Sequence, residues 1–240
     1  MTPSHCLGHD YKWASVQRTC AEISLKQVII MIRIPCLIIG YLLGCIQTAY
    51  LTGKIMSNID IRKFGSGNAG TTNVIRQLGL KAGIFVFIID ILKAVLAFVI
   101  CSRLFAFTGA SQLSLGLYAG LGAILGHNFP IFLQFKGGKG IACSLGIMFC
   151  VDWRAALIIY AVGAAVVAAS RFISLGSIIM LALFPILTLL WGKGAESVIL
   201  TFLLAALALY QHRGNIKRLL NGTERKFSVT KKKEVVKDRH

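Results

Sequence analysis

Charge is what this chain has least of. Aspartate and glutamate number only nine in 240 residues, and charged residues of both signs make up 15%, against about 25% in an ordinary soluble domain. Together with 56% hydrophobic residues, where about 45–50% is usual, that shortage excludes a water-soluble globular fold and makes the bilayer the solvent. Paired cysteine spacings are missing too: Cys6, Cys20, Cys36, Cys45, Cys101, Cys143 and Cys150 mostly fall inside apolar runs, where a thiol behaves as a small hydrophobe. Neither a disulfide framework nor a metal site is expected. Residues 1–28 lack the basic start, short apolar core and small-residue cleavage site of a secretory signal. They read as an added or mis-started extension, with Met31 as an alternative start.

Long apolar runs are what the chain has instead, at about 29–53, 82–107, 113–133, 141–150, 155–169, 175–191 and 197–211. A perpendicular transmembrane helix needs roughly 20 residues, so three runs are full length and four are short. The run 141–150 is too short alone and reads as a helix that starts inside the membrane, its irregular lead-in lining a wet cavity. Pro185 kinks the sixth run and needs no catalytic role. The fold expected is an all-α integral membrane protein of about seven transmembrane helices, with short or half helices around the site. Five spans with two re-entrant pieces is the alternative. Three regions follow: an extension over 1–28, a membrane domain over 29–224 and a basic tail over 225–240.

The basic residues are unevenly placed, and their density near spans decides orientation. Lys54, Arg62, Lys63, Arg76, Lys81, Lys136, Lys139 and Arg171 lie on one set of connections together with the basic segment 212–240, while the other set carries Arg103, Arg154 and Lys193. The first face is therefore predicted cytoplasmic, with the N-terminus outside and the C-terminus inside. For the tail, including Lys231-Lys232-Lys233, a topology signal beside anionic lipid suffices. No recognition helix or aromatic-basic pattern points to nucleic acid.

Three polar blocks interrupt the apolar pattern on that face, and a fourth follows the last run. Gly65-Ser66-Gly67-Asn68-Ala69-Gly70 spells a dinucleotide fingerprint, but the strand and βαβ unit it requires are missing. What remains is local: glycines let backbone N–H groups converge on an oxyanion, and Ser66, Asn68, Thr71, Thr72 and Asn73 add neutral donors. Arg76 supplies a bidentate fork suited to phosphate. The second block, Gly126-His127-Asn128-Phe129-Pro130 and then Lys136-Gly137-Gly138-Lys139-Gly140, places a histidine near the inner end of a span and a lysine-glycine loop at a helix start, which attracts anions. It is not a nucleotide P-loop, because Gly140 follows Lys139 where serine or threonine is required. In the third block Arg171 marks the membrane edge, and Ser174 and Ser177 share a helix face. In the fourth, His212 and Asn215 share a face as the last span exits. Asp90 and Lys93, three residues apart within the second run, read as a structural ion pair, although intramembrane ionisable residues are functional suspects by default. The His5/Asp10 spacing of a glycerolipid acyltransferase motif and the glycosylation spelling Asn221-Gly222-Thr223 are coincidences of position.

In order, Ser66-Gly67-Asn68-x-Gly70-x-Thr72-Asn73-x-x-Arg76, Gly126-His127-x-Phe129-Pro130 with Phe135 through Gly140, Arg171-x-x-Ser174-x-x-Ser177, and His212-Arg213-x-Asn215-Ile216 resemble the bacterial PlsY family of acyl-phosphate-dependent glycerol-3-phosphate acyltransferases. The resemblance covers about 34–227. It departs at Cys45-Ile46-Gln47, where Ser-Ile-Pro is usual, and at Gly214, where glutamate is common. It implies a seven-helix bacterial inner-membrane enzyme that moves an acyl chain from acyl phosphate to the sn-1 hydroxyl of glycerol 3-phosphate, giving lysophosphatidic acid and phosphate, with no cofactor. An acyl-phosphate-forming enzyme would hand over the donor. By the same resemblance the first block, with Gly67, Asn68, Gly70, Thr72, Asn73 and Arg76, and the loop of Lys136, Gly137, Gly138, Lys139 and Gly140 would hold the two phosphates, together with Arg171 and Ser177. Ser66, His127, Ser174, His212 and Asn215 would complete the reacting pocket.

Two dianions must meet in such a site, which is its main electrostatic problem. An acyl phosphate carries a good leaving group, so direct attack by the glycerol hydroxyl suffices and no acyl-enzyme is expected. His127, His212 or a substrate phosphate oxygen could take the proton, and the residues do not choose among them. The rivals are an anion carrier built on glycine-broken half-helices and a phospholipid-binding scaffold. Against the carrier stand the absence of an inverted repeat and the clustering of the polar blocks at one face. The scaffold accounts for the tail but not for four blocks.

Overall fold

The computed structural model describes residues 27–227, all helix, turn or irregular with no strand among them. His5, Asp10, Cys6, Cys20, most of the extension and positions 228–240 of the tail lie outside the described residues.

Each apolar run is helical. The first, however, is two helices, α1 (27–44) and α2 (Thr48–Ser57), because the chain breaks at Cys45-Ile46-Gln47. A short amphipathic α3 (Thr71–Leu78) precedes α4 (Leu80–Leu104), and α5 (Gln112–Asn128), α6 (Ile141–Val151), α7 (Trp153–Ser170), α8 (Ile173–Leu190), α9 (Ala195–Gln211) and α10 (Arg213–Leu220) follow. By length and composition five helices among the described residues could cross a membrane: 27–57 taken through its break, Leu80–Leu104, Gln112–Leu133, Trp153–Ser170 and Ile173–Leu190. Helices α9 and α10 form a sixth candidate bent by 60°. With eleven residues, α6 is only about 16 Å long, half of a hydrocarbon core.

Small residues set the closest helix contact. A Cβ on Gly40 or Gly44 of α1 would fall on the carbonyls of Ala119 and Ala123 in α5, and one on Gly122 or Gly126 would fall on those of Leu37 and Tyr41. Without side chains there, the two backbones meet directly, the usual device where lipid removes the hydrophobic drive. This seam carries His127, next to Gly126, against the break that follows α1. At that break Gln47 Nε2 donates to the carbonyls of Gly44, Gly126 and His127 at 3.3, 3.3 and 3.1 Å. It thereby satisfies carbonyls that the ends of α1 and α5 leave open.

The main core runs between α4, α5, α6, α8 and α9 around Phe98, Leu117, Ile147, Leu181 and Leu204. A smaller one, with Ala49, Ile61, Ala69, Val74 and Val86, pins the first polar block to α2, α3 and α4. One end of the bundle joins Arg33 to Glu196 at 2.7 Å and Lys193 to Asp152 at 2.6 Å, and the other gathers the polar blocks.

Candidate active site

The polar blocks of the sequence surround one cavity of about 690 Å³. Three helices open into it by their N-termini, through Thr71 and Thr72 of α3, Ile141 and Ala142 of α6, and Ile173 and Ser174 of α8. The residues before them, Gly70, Gly140 and Phe172, give no side-chain cap. First-turn N–H groups and the positive ends of the helices are thus left for an anion.

The first block is held from within by Asn73, which is 2% exposed. Its Nδ2 donates to the carbonyls of Ile61, Phe64 and Asn68 at 3.0, 3.1 and 3.1 Å, and its Oδ1 accepts from the Ser66 N–H at 3.1 Å. Every polar atom of the amide is committed to shaping the loop. Gly70 N–H is turned to Asn68 O and Gly67 N–H to Phe64 O, so Gly67, away from the cavity wall, serves the turn with its φ of +73°. Ser66 and Asn68 sit at the rim, joined by the Asn68 amide, and Gly70, Thr72 and Arg76 face the cavity.

The second block folds back on α5. Gly137 and Gly138 donate their N–H groups to the carbonyls of Asn128 and His127 at 3.1 and 3.0 Å, closing the helix end, and Gly137 O accepts from Ala69 N at 3.4 Å, tying this loop to the first. Gly138 packs flat against His127, since a Cβ there would fall on the ring Nε2. Lys139 and Gly140 line the cavity, whereas Gly137 and Gly138 form the layer behind it. Lys136 is exposed outside the wall, its carbonyl taken by Arg62 Nη1 at 3.3 Å.

Arg171 takes a place that helical spacing could not foretell. It ends α7 in the left-handed region, φ +62°, with its side chain exposed outside the cavity wall. Its carbonyl accepts from Phe227 N at 2.7 Å, so this backbone moors the segment after α10. That return brings in Glu224, which none of the sequence blocks singles out. Its Oε1 accepts from Ser174 Oγ at 2.8 Å and Asn215 Nδ2 at 2.7 Å, and Oε2 accepts from Arg218 Nε at 2.7 Å. Glu224 thus turns the Asn215 amide so that its Oδ1 meets Lys139 Nζ. Burial and the neighbouring Arg218 pull the Lys139 ammonium down to about 8. Burial pushes Glu224 up, but the hydrogen bonds from Asn215, Ser174 and Arg218 outweigh it and hold the carboxyl below its usual value. The signal available in the sequence was one acid among so many bases.

Ser177 lines the cavity with its Oγ bonded to Ile173 O at 2.9 Å. His212, buried at the α9/α10 bend, places Nδ1 2.8 Å from Ala208 O. A carbonyl can only accept, so Nδ1 carries a proton, and in the neutral ring Nε2 keeps a lone pair. Asp90 and Lys93 are paired at 2.8 Å as their spacing suggests, and the pair also reaches His127, with Lys93 Nζ 3.0 Å from its Nδ1. Asp90 and His127 both border the cavity.

A sequence profile of the family described as glycerol-3-phosphate acyltransferase matches residues 34–222. A protein of that name from Thermoanaerobacter sp. is 47% identical over 190 residues, 79% of this chain and 93% of its own length. Another, from Clostridioides difficile, is 44% identical over 194 residues, 81% and 95% of the two chains. Among solved structures, the glycerol 3-phosphate form of the integral membrane acyltransferase PlsY superposes with a TM-score of 0.75 at 35% identity, covering 82% of this chain and 96% of that one. Its lysophosphatidic acid form gives 0.73 at 34% over the same shares. A match of this extent, at this identity and in this fold, places the chain in the PlsY family of glycerol-3-phosphate acyltransferases.

Proposed function

We propose that the protein transfers an acyl group from acyl phosphate to the sn-1 hydroxyl of glycerol 3-phosphate, releasing phosphate and lysophosphatidic acid, the first step of phospholipid synthesis. One observation carries the reading: three uncapped helix N-termini converge with Arg76, Lys139 and Arg218 on a single cavity. Its volume of about 690 Å³ has room for two phosphate groups. Each phosphate brings close to two negative charges near neutral pH, and such a cluster removes the repulsion that keeps them apart.

The hydroxyl oxygen bonds to the acyl carbonyl carbon, the bond from that carbon to the phosphate oxygen breaks, and phosphate leaves with the electron pair. The hydroxyl proton passes to an acceptor in the cavity, His212 Nε2 or a substrate phosphate oxygen. No covalent acyl-enzyme forms. Positioning of the two substrates and fixed N–H and ammonium groups facing the developing charge supply most of the acceleration. Ser174 and Ser177 border the route of the glycerol backbone, and the acyl chain lies between helices in the apolar layer. The membrane domain spans 29–224 with the cavity on the cytoplasmic side of a bacterial inner membrane, a reading supported by the basic residues around the cavity. An acyl-phosphate-forming enzyme supplies the donor.

Purified protein in detergent, given palmitoyl phosphate and glycerol 3-phosphate, should release lysophosphatidic acid and phosphate in equal amounts. A carrier does nothing without a sealed vesicle. Failure to form lysophosphatidic acid, or an acyl ester trapped on the polypeptide during turnover, would sink the proposal.

A further inference from the structure

The buried ion pair behind the cavity does more than neutralise itself. Lys93 Nζ has three hydrogens and three acceptors: Ile46 O at 2.7 Å, Asp90 Oδ1 at 2.8 Å and His127 Nδ1 at 3.0 Å. The first is a carbonyl set free where the chain breaks between α1 and α2, and it can only accept. Asp90 Oδ1, also held by Thr48 Oγ1 at 3.1 Å, can only accept from a charged lysine. An ammonium with both of these bonds presents its remaining N–H to His127, so Nδ1 must offer a lone pair. An N–H at Nδ1 would instead point at a cation 3.0 Å away. Asp90 Oδ1 stands 3.6 Å from Nδ1, beyond a hydrogen bond.

With Nδ1 occupied as an acceptor, the ring proton belongs on Nε2. That atom makes no hydrogen bond within the described residues; it lies against Gly138, where a Cβ would fall on it, and the His127 side chain borders the cavity. His212 has the opposite arrangement, with its proton held on Nδ1 by Ala208 O.

We propose that Asp90 and Lys93 are positioning residues that hold His127 in its Nε2–H form, as a hydrogen-bond donor to a phosphate oxygen in the cavity and not as the base. The inference rests on the proposed reaction for the identity of that oxygen. Its chemistry follows the general rule that a second group bonded to one imidazole nitrogen decides what the other can do.

The direct measurement is a two-bond proton–nitrogen correlation on protein labelled with ¹⁵N-histidine in bicelles. His127 is assigned among the five histidines by the disappearance of its signals in His127→Gln. The expected pattern is Nδ1 unprotonated and Nε2 protonated, with the Nε2 proton moving downfield on addition of inorganic phosphate. A protonated Nδ1, or both nitrogens protonated, overturns the inference. Lys93→Met should change that tautomer and lower kcat/KM about 10²-fold, the order of a lost charge-stabilising donor. An unchanged tautomer in Lys93→Met overturns it as well. Glutamine carries its amide nitrogen near the Nε2 position and asparagine only near Nδ1, so His127→Gln should keep about tenfold more activity than His127→Asn; the reverse order counts against it. Lysophosphatidic acid release from the same preparation separates the two levels. Active protein with the wrong tautomer sinks this inference alone, while inactive protein with the expected tautomer sinks the reaction.

Discussion

The two ends of the helix bundle use charge in opposite ways. At one end each key cation meets an acid: Arg33 with Glu196, and Lys193 with Asp152. At the other, Arg76, Lys139, Arg213, Arg218 and Arg225 line the cavity against Glu224 and an Asp90 already paired with Lys93. Matched pairs fasten helix ends and are spent in doing so. Unmatched cations beside uncapped helix N-termini raise the free energy of the empty site and lower it again when anions bind, the condition for handling two phosphates.

This contrast breaks most visibly at Lys139. Lys139→Ala should lower kcat/KM by about 10²-fold or more, read by lysophosphatidic acid release, with the protein still folded because the side chain borders a cavity. Near-normal turnover would place the charge stabilisation in the helix N-termini alone. The same lysine gives a pH signature. Its ammonium is held down at about 8 by burial first and then by Arg218, so the cation is present below that pH and lost as pH rises through it. For the free enzyme, kcat/KM should fall on the alkaline side with a midpoint near pH 8 and a slope of about tenfold per unit. Lys139→Arg should move that limb upward, since a guanidinium stays charged.

Glu224 tests whether the carboxylate set among these cations is structural or inhibitory. Glu224→Ala unties Ser174, Asn215 and Arg218 and should lower kcat/KM about tenfold, within the range for hydrogen bonds to a charged group. Faster turnover would mean that the carboxylate competes with substrate. The smallest effect belongs to the matched end. Glu196→Gln removes a pair whose side chains are 27% and 34% exposed, so unfolding measurements should shift by about 1 kcal/mol or less, with kcat unaltered. A loss of activity there would couple the two ends.

The helices themselves could be read from the chain because apolar length and polar interruption are local properties. Every apolar run became helix, and the lysine-glycine loop does lead into the short α6. The break at Cys45-Ile46-Gln47 was not legible: these residues are compatible with a continuous helix, and it is the Gln47 amide on Gly126 and His127, eighty residues away, that makes the interruption stable. Asn73 and Arg171 teach the same point in the other direction. Both belong to blocks of the right composition, yet one amide is used up inside its loop and the other residue caps a helix with its side chain turned out. Residue type announces which donors exist, while packing decides which of them remain free.

From the residues alone came the membrane as solvent, the number of apolar segments and the family, because hydrophobicity, spacing and ordered motifs are written along one dimension. The folded molecule assigned partners: Lys93 to His127 Nδ1, Asn215 to both Glu224 and Lys139, Gly138 to the ring it packs against. Most buried polar atoms find a complement, and that complement is chosen by distance in space, which no position in the sequence records.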